Sequence, residues 1–340
     1  MTRRARGLAI LNPLAGPNAP RVHALADRCR ELVADLEVAT TSRAGEAVDL
    51  VAHAVAEPRP PDLVVAIGGD GTVREVAEGL ARGLGRWPGG RDGGGDDDTG
   101  PALLALPAGS GNSMYRALWS ETEWEGAVET VACGGRSVRS LDLIRLVEHD
   151  RAALLGVNVG LIAAMADHIE RSKRERRDGG EDGDDGGADE PYWSAFGEVL
   201  QGFSSPDIRV TVDGEPLHEG KAIMCTVGGV RRFGRGMFEV LPRSLLDDGL
   251  LDVCAVQDVA QERLGALAAL VPDGQHVHEQ EVAYAQGQSI SIERLDGHDL
   301  EVEHDGDPYR VATTLTLDVV RAAVPALVDP SGLQTAVGGV

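Results

Sequence analysis

The junction that most constrains this chain is an apolar run, Leu63-Val64-Val65-Ala66-Ile67, leading directly into Gly68-Gly69-Asp70-Gly71-Thr72. The run is short and uninterrupted, as in a strand buried on both faces of a parallel sheet. Downstream, Val73, Val76, Ala77, Leu80, Ala81 and Leu84 fall at helical spacing and form one apolar face. A glycine turn between a parallel strand and a helix lets backbone N–H groups approach an anion at the positive end of the helix dipole. The pentapeptide therefore reads as a phosphate loop, or more plainly as a tight turn in a chain with 44 glycines. Asp70 cannot favour a phosphate itself. A carboxylate there points to a metal ion, a metal-bound water or a hydroxyl to be polarised.

The surrounding pattern supports an α/β unit. Gly7 to Leu11, Leu36 to Ala39, Leu63 to Ile67 and Ala102 to Leu106 read as strands, with helical patterns over Val22 to Leu32, Gly45 to Ala56 and after Thr72. Such alternation builds an open parallel sheet with helices on both faces. The turns Asn12-Pro13-Leu14-Ala15-Gly16, Gly68 to Thr72 and Pro107-Ala108-Gly109-Ser110-Gly111-Asn112 all follow strands, so they gather at the carboxyl edge, where such sheets bind ligands. From about residue 143 the pattern changes to strands with few helices. Leu141 to Val147, Ala153 to Asn158, Ile208 to Val212, Ala222 to Val227, Leu250 to Val256, Gln288 to Glu293 and Leu300 to His304 are punctuated by turns such as Asp213-Gly214 and Asp305-Gly306. This predicts a β-sandwich-like C-terminal domain. The expected division is 1–142 for the α/β domain, completed by 313–330, and 143–312 for the β-rich domain. Gly89 to Gly100 and Lys173 to Glu190 read as solvated insertions, since neither composition can build a core.

Charge excludes some functions. The chain has 340 residues and a net charge of −23. Residues 1–142 carry 15 Lys+Arg against 20 Asp+Glu, and residues 143–340 carry 17 against 35. A surface so acidic argues against nucleic acid as a partner and against a polybasic grip on anionic membrane. No stretch reads as a signal peptide or a transmembrane span. Cys29, Cys133, Cys225 and Cys254 are far apart, without a Cys-x-x-Cys pair, and read as buried reduced thiols of a cytoplasmic protein. His276 and His278 read as surface residues, with no partner set for zinc.

Taken in order, these motifs resemble the lipid kinase family that includes diacylglycerol kinases and sphingosine kinases. Asn12 to Gly16 is similar to the family's Asn-Pro-x-Ser-Gly, with Ala15 for serine, and Thr41 with Gly45 to its Thr-x-x-x-Gly. Gly68 to Thr72 matches its Gly-Gly-Asp-Gly-Thr, and Pro107 to Asn112 its Pro-x-Gly-Thr/Ser-x-Asn. Pro242 followed by Asp248-Gly249-Leu250-Leu251-Asp252 resembles a motif of its second domain, and Asp305-Gly306-Asp307 its late Asp-Gly-Glu. The pentapeptide alone is shared with NAD kinases and phosphofructokinases, whose open parallel sheet the first domain would resemble.

The resemblance implies ATP-dependent phosphorylation of a lipid hydroxyl, with ATP on the first domain, the lipid in the cleft between domains, and transient visits to the membrane surface. Asn12, Pro13, Gly16, Thr41, Gly68, Gly69, Asp70, Gly71, Thr72, Val73, Arg74 and Ser110 would contact ATP, and Asn112 would brace its loop. A lipid alcohol needs a base. The resemblance places that role at Asp305 or Asp307, with Asp305 favoured because it follows the strand directly. Asp70 would act through Mg2+, or as the base in the sphingosine kinase version. Asp248, with the carbonyls of Leu245 and Leu250, would hold a second, structural Mg2+, and a homodimer is compatible with the resemblance. The chain departs from the pattern at Asp307, one methylene shorter than glutamate, at Ser113, where many diacylglycerol kinases carry aspartate, and at Gly229, near a usual asparagine. Two other readings compete: an NAD kinase-like enzyme with a soluble substrate, which should carry an Asn-Glu pair that this chain lacks, and a catalytically inactive nucleotide- or lipid-binding protein.

Overall fold

The computed structural model describes residues 6–13, 19–30, 32–33, 35–89, 100–120, 122–134, 137–178, 190–234 and 236–330. The α/β part runs β1 (Arg6–Leu11), α1 (Ala19–Cys29), β2 (Asp35–Thr40), α2 (Glu46–Ala56), β3 (Leu63–Gly68), α3 (Asp70–Gly83), β4 (Ala102–Pro107), α4 (Ser113–Trp119) and α5 (Trp124–Ala132). β2, β1, β3 and β4 lie side by side and parallel. β3 is buried along its whole length, as an uninterrupted apolar run requires.

Two long strands carry the chain between its halves. β5 (Ser137–Leu146) places Leu141 and Leu143 in the first core and Ile144 and Leu146 in the second. Next come β6 (Arg151–Ala153), β7 (Gly156–Gly160), α6 (Leu161–Asp178), α7 (Glu190–Gly202), β8 (Asp207–Val212), β9 (Glu215–Gly228), β10 (Leu251–Gln257), α8 (Gln261–Ala268), β11 (Val282–Gly287), β12 (Ser289–Arg294), β13 (Leu300–His304), β14 (Asp307–Val311) and β15 (Thr314–Val328). β15 packs Leu315 and Leu317 into the second core, then Val320 and Ala323 to Val328 into the first, where Ala326 pairs parallel to Leu103 of β4.

The second half is the expected sandwich. One layer is β8, β12, β15 and β5, and the other is β14, β13, β7, β9, β10 and β11. β9 belongs to both: its first half pairs with β8 and its second with β7 and β10. Ile208, Val210, Ile290 and Ile292 of one layer meet Val157, Cys225, Val227 and Val302 of the other. Asp213-Gly214 and Asp305-Gly306 join antiparallel strands with positive φ at both residues, the conformation of a two-residue hairpin turn.

The structure corrects the sequence in particular places. Residues 173–178, expected in a solvated insertion, continue α6, and Glu190 opens α7. Residues 179–189 of that insertion, and 90–99 of the other, lie outside the described residues. α6 carries its apolar side chains early and charges late, and pairs such as Asp167–Arg171 at 2.8 Å support the charged turns. Strands β11 and β14 and helix α8 were also missing from the expectation. Cys133 is exposed, unlike the other three cysteines, and His276 is buried, its Nε2 against the Val240 carbonyl at 3.1 Å.

Candidate active site

Two glycine loops meet at the carboxyl edge of the parallel sheet. α3 begins at Asp70, directly after Gly69. A Cβ on Gly68 would lie 2.4 Å from Thr72 Oγ1, and a Cβ on Gly109 would lie 2.3 Å from the Gly69 Cα. Gly109 is required because the two loops cross backbone to backbone, and Gly68 because the Thr72 side chain of its own loop folds over it. Gly71 differs: a Cβ there would meet nothing within 4 Å. Among the described residues no neighbour explains it, and the position faces open space. A helix leaves its first N–H groups without intrahelical partners. Here the Thr72 and Val73 amides turn back to the Gly69 carbonyl, and among the described residues no backbone partner is seen for those of Asp70 and Gly71.

The other loop residues act as braces. Asn12 Nδ2 donates to Thr72 Oγ1 at 3.3 Å, and Pro13 is exposed beside it. Thr41 is buried, its N–H and hydroxyl both donating to the Leu11 carbonyl. Glu75 accepts from the Gly45 and Ala47 amides and so caps α2 from α3. Asn112, in the left-handed region, exchanges two hydrogen bonds with Gly109, at 2.9 and 2.8 Å, while Ser110 is exposed at the loop tip. Gly16 lies outside the described residues.

Asp70 joins the two loops. Its carboxylate accepts from the Ser113 amide at 3.0 Å and the Met114 amide at 2.9 Å, capping α4. Burial pushes its pKa up, and those amides oppose the shift. Among the described residues no group of three or more His, Cys, Asp or Glu side chains could hold a metal ion. A magnesium ion here would therefore take most of its ligands from phosphate oxygens and water, as that ion commonly does.

The second half reaches the loops through Arg74. From the second turn of α3, its Nη1 lies 2.8 Å from His304 Nδ1 and its Nη2 donates to Asp307 Oδ2 at 3.0 Å. Nε lies 3.9 Å from Asp305 Oδ2, and its N–H is buried without a hydrogen-bond partner. His304 is neutral: burial, then the Arg74 charge, push its pKa down to about 3. Glu78, one turn further along α3, accepts from the Ala152 amide ahead of β7 and from Arg82. α3 is thus both the phosphate-loop helix and the strap onto the sandwich.

The two carboxylates of the late turn have different surroundings. Asp305 accepts from the amides of Leu154, Leu155 and Gly156 at 2.8, 2.8 and 3.1 Å, and its side chain is 1 % exposed. Asp307 is 65 % exposed, and its carboxylate accepts from the tip of Arg74. The rigidity expected of Asp305 comes from holding the β6–β7 connection, which occupies its carboxylate structurally and leaves Asp307 as the more accessible carboxylate of the turn.

Behind the turn lies a network that sequence reasoning missed. Glu303 is buried and accepts from Gly306 N–H and from Asn158 Nδ2, while Asn158 Oδ1 accepts from the Thr226 hydroxyl at 2.6 Å. Strand alternation places Glu303 opposite Val302, which in sequence reads as solvent-facing.

At the expected structural metal site, Asp248 accepts from the Leu250 amide at 3.0 Å, and Asp142 holds the Gly249 amide at 2.6 Å. Leu245 is half-buried in the same turn. A separate cleft of about 390 Å³ lies between α6, α7 and β13, lined by His168, Arg171, Glu198, Arg294 and Glu301 among others; it contains none of these candidates.

Comparison with known proteins gives this arrangement its family. The profile of the diacylglycerol kinase catalytic domain matches residues 6–146, and that of the YegS C-terminal NAD kinase beta sandwich-like domain matches residues 189–328. The chain therefore carries a diacylglycerol kinase catalytic domain followed by a YegS-type C-terminal domain. It is a phosphotransferase with an alcohol group as acceptor, and the family uses ATP. A Staphylococcus epidermidis protein named diacylglycerol kinase is 24 % identical over 72 % of this chain and 68 % of its own length. A Pseudomonas aeruginosa protein named "Probable lipid kinase YegS-like" is 29 % identical over 87 % of each chain. A solved diacylglycerol kinase structure from Bacillus anthracis str. Sterne superposes with a TM-score of 0.64 at 18 % identity, covering 97 % of this chain and 99 % of the other, a likeness of fold alone. No helix among the described residues is long and apolar enough to cross a membrane.

The Glu303 network gives stability a pH dependence. Burial, opposed by the hydrogen bonds from Asn158 and Gly306, raises Glu303 from 4.5 to about 7, and burial raises Asp252 to about 6. The folded chain then binds these protons more tightly than the unfolded chain. Their stabilising contribution is full below the unfolded value and is lost as pH rises through the folded one. For Glu303 the span is on the order of 3 kcal/mol. Thermal melts should show a higher Tm at about pH 5 than at about pH 8, and Glu303→Gln should flatten that slope. An unchanged slope in the variant would place the titration elsewhere.

Proposed function

We propose that the chain is an ATP-dependent kinase for the hydroxyl of a diacylglycerol- or sphingoid-like lipid. The observation that carries this reading is the Arg74 bridge. It sets Asp307 one side chain away from the helix whose N-terminus forms the phosphate loop, although the two are 233 residues apart in sequence. The names of the relatives, diacylglycerol kinase and lipid kinase YegS-like, support a lipid acceptor.

In this reading the Asp70 and Gly71 amides and the dipole of α3 hold the phosphates, and the Thr72 hydroxyl, steadied by Asn12, lies beside them. MgATP, when bound, supplies the phosphoryl group and the charge neutralisation that such transfers need. Asp70 fixes the second loop against the first and faces the ion through water. Asp307 takes the proton from the lipid hydroxyl, and Arg74 orients its carboxylate. Asp248, with the Leu245 and Leu250 carbonyls, is proposed to hold a structural Mg2+, which suits hard oxygen donors.

The glycines test the nucleotide site without a lipid. Gly71→Ala should leave Tm unchanged or slightly raised, since alanine favours a helix by up to about 1 kcal/mol, yet weaken ATP binding measured by calorimetry. Gly109→Ala should instead cost about 1–3 kcal/mol, because its Cβ strikes backbone. Equal ATP affinity in Gly71→Ala would move the phosphates elsewhere. The activity itself is tested by ADP release with mixed micelles of diacylglycerol or sphingosine, against NAD as the soluble alternative. Release with NAD alone would favour the NAD kinase-like reading, and none with any acceptor the inactive binding protein.

A further inference from the structure

The segment between β9 and β10 folds back as a small hairpin. Phe233 and Phe238 pair across it, and the Gly236 and Met237 amides donate to the Phe233 and Gly234 carbonyls. Met237 at that tip is 43 % exposed, the one exposed large hydrophobic side chain among the described residues. Phe233 and Phe238 flank it half-buried. Around the base lie Arg231 and Arg232, both bonded to the single carboxylate of Glu239, and exposed Arg243, stacked over Tyr284 at 5.2 Å. An apolar tip ringed by Arg231, Arg232 and Arg243, against the carboxylates of Glu239 and of Asp252 beside Arg243, is a side-chain arrangement that settles into a lipid headgroup layer.

The overall charge of −23 does not oppose this. At physiological ionic strength the field of distant carboxylates is screened over about 8 Å, so the local collar decides. The hairpin also stands next to the proposed chemistry. The Phe233 ring would lie 3.0 Å from a Cβ on Gly156, and Gly156 is the residue whose N–H and carbonyl both bond to Asp305.

We propose that the 231–243 hairpin is the surface that docks this enzyme on an anionic phospholipid bilayer, with Met237 entering the headgroup layer and Arg232 and Arg243 facing lipid phosphates. The proposal rests on the lipid-kinase reading for its purpose, delivery of a bilayer substrate to the Asp307 turn, but vesicle binding is measured without turnover.

The test is co-sedimentation of the full chain with vesicles of phosphatidylcholine and phosphatidylglycerol, and of phosphatidylcholine alone. The wild type should partition to the anionic vesicles, less at high salt. Met237→Glu and Arg232→Gln should each lower that partitioning by up to about tenfold. Both should keep their Tm, since Met237 is exposed and Arg232→Gln leaves the Arg231–Glu239 pair intact. Both should keep turnover of a short-chain diacylglycerol presented as monomers. Wild-type chain that stays in the supernatant, or variants that sediment like wild type, would overturn the proposal. So would vesicle-free self-association that Met237→Glu abolishes, since the tip would then join two copies. If no lipid is phosphorylated at all, the functional reading fails, and the vesicle result still judges the hairpin.

Discussion

Asp307→Asn lowers kcat by about 10²–10⁴-fold at unchanged Tm and unchanged ATP affinity, the scale of a lost general base. The basis is geometric: Asp307 is exposed, bound by Arg74, and faces the half of the molecule that holds the phosphate loop. Asp305→Asn behaves differently. An amide nitrogen in place of either oxygen confronts at least one of the Leu154, Leu155 and Gly156 N–H groups, and each buried donor left unsatisfied costs about 1–3 kcal/mol. That variant loses stability first and activity as a consequence. Asp307→Glu, which restores the family's residue, is tolerated or mildly activating. Stopped assays at saturating lipid, with calorimetry for ATP and melts for stability, separate the three variants. If Asp307→Asn keeps more than about a tenth of wild-type kcat, the base is not Asp307, and Asp70 becomes the remaining carboxylate at the loops.

Asp70→Asn lowers kcat by about 10²-fold or more, the usual scale for a charge removed from the centre that stabilises a transferring phosphoryl group. The change also weakens the cap on α4, because one of the Ser113 and Met114 amides then meets an NH2 group; the loss there is about 1 kcal/mol. Most of the molecules remain folded, so the kinetic effect is readable. Steady-state assays over a range of Mg2+ concentration check it. A folded Asp70→Asn with near-wild-type kcat would leave the carboxylate as a cap and nothing more.

The parallel sheet, the sandwich and the meeting of the strand-end turns were legible in sequence because each rests on local pattern: β3 as an apolar run, β13 over Leu300 to His304, Asp305-Gly306 as a hairpin turn. What could not be read depends on partners distant in the chain. Gly71 and Gly109 are equivalent as letters, and only the crossing of the two loops separates a glycine that packs from one that faces open space. Asp305 looked like the better base because nothing local reveals three amides about 150 residues away. Arg74 was expected at the phosphates, and its turn toward His304 and Asp307 follows from how α3 lies against the sandwich. Glu303 gave no signal, since its partners Asn158 and Thr226 lie on β7 and β9. The end of α6 was lost to its charged composition, although the backbone of 173–178 continues the helix.

The central claim is phosphoryl transfer from ATP to a lipid hydroxyl, and the direct measurement is incubation of the chain with γ-labelled ATP and a total lipid extract, followed by mass spectrometry of new phospholipids. The account predicts label in a phosphorylated diacylglycerol or sphingoid base, dependent on Mg2+ and lost in Asp307→Asn. A folded chain that binds ATP yet places no label in any lipid would contradict it.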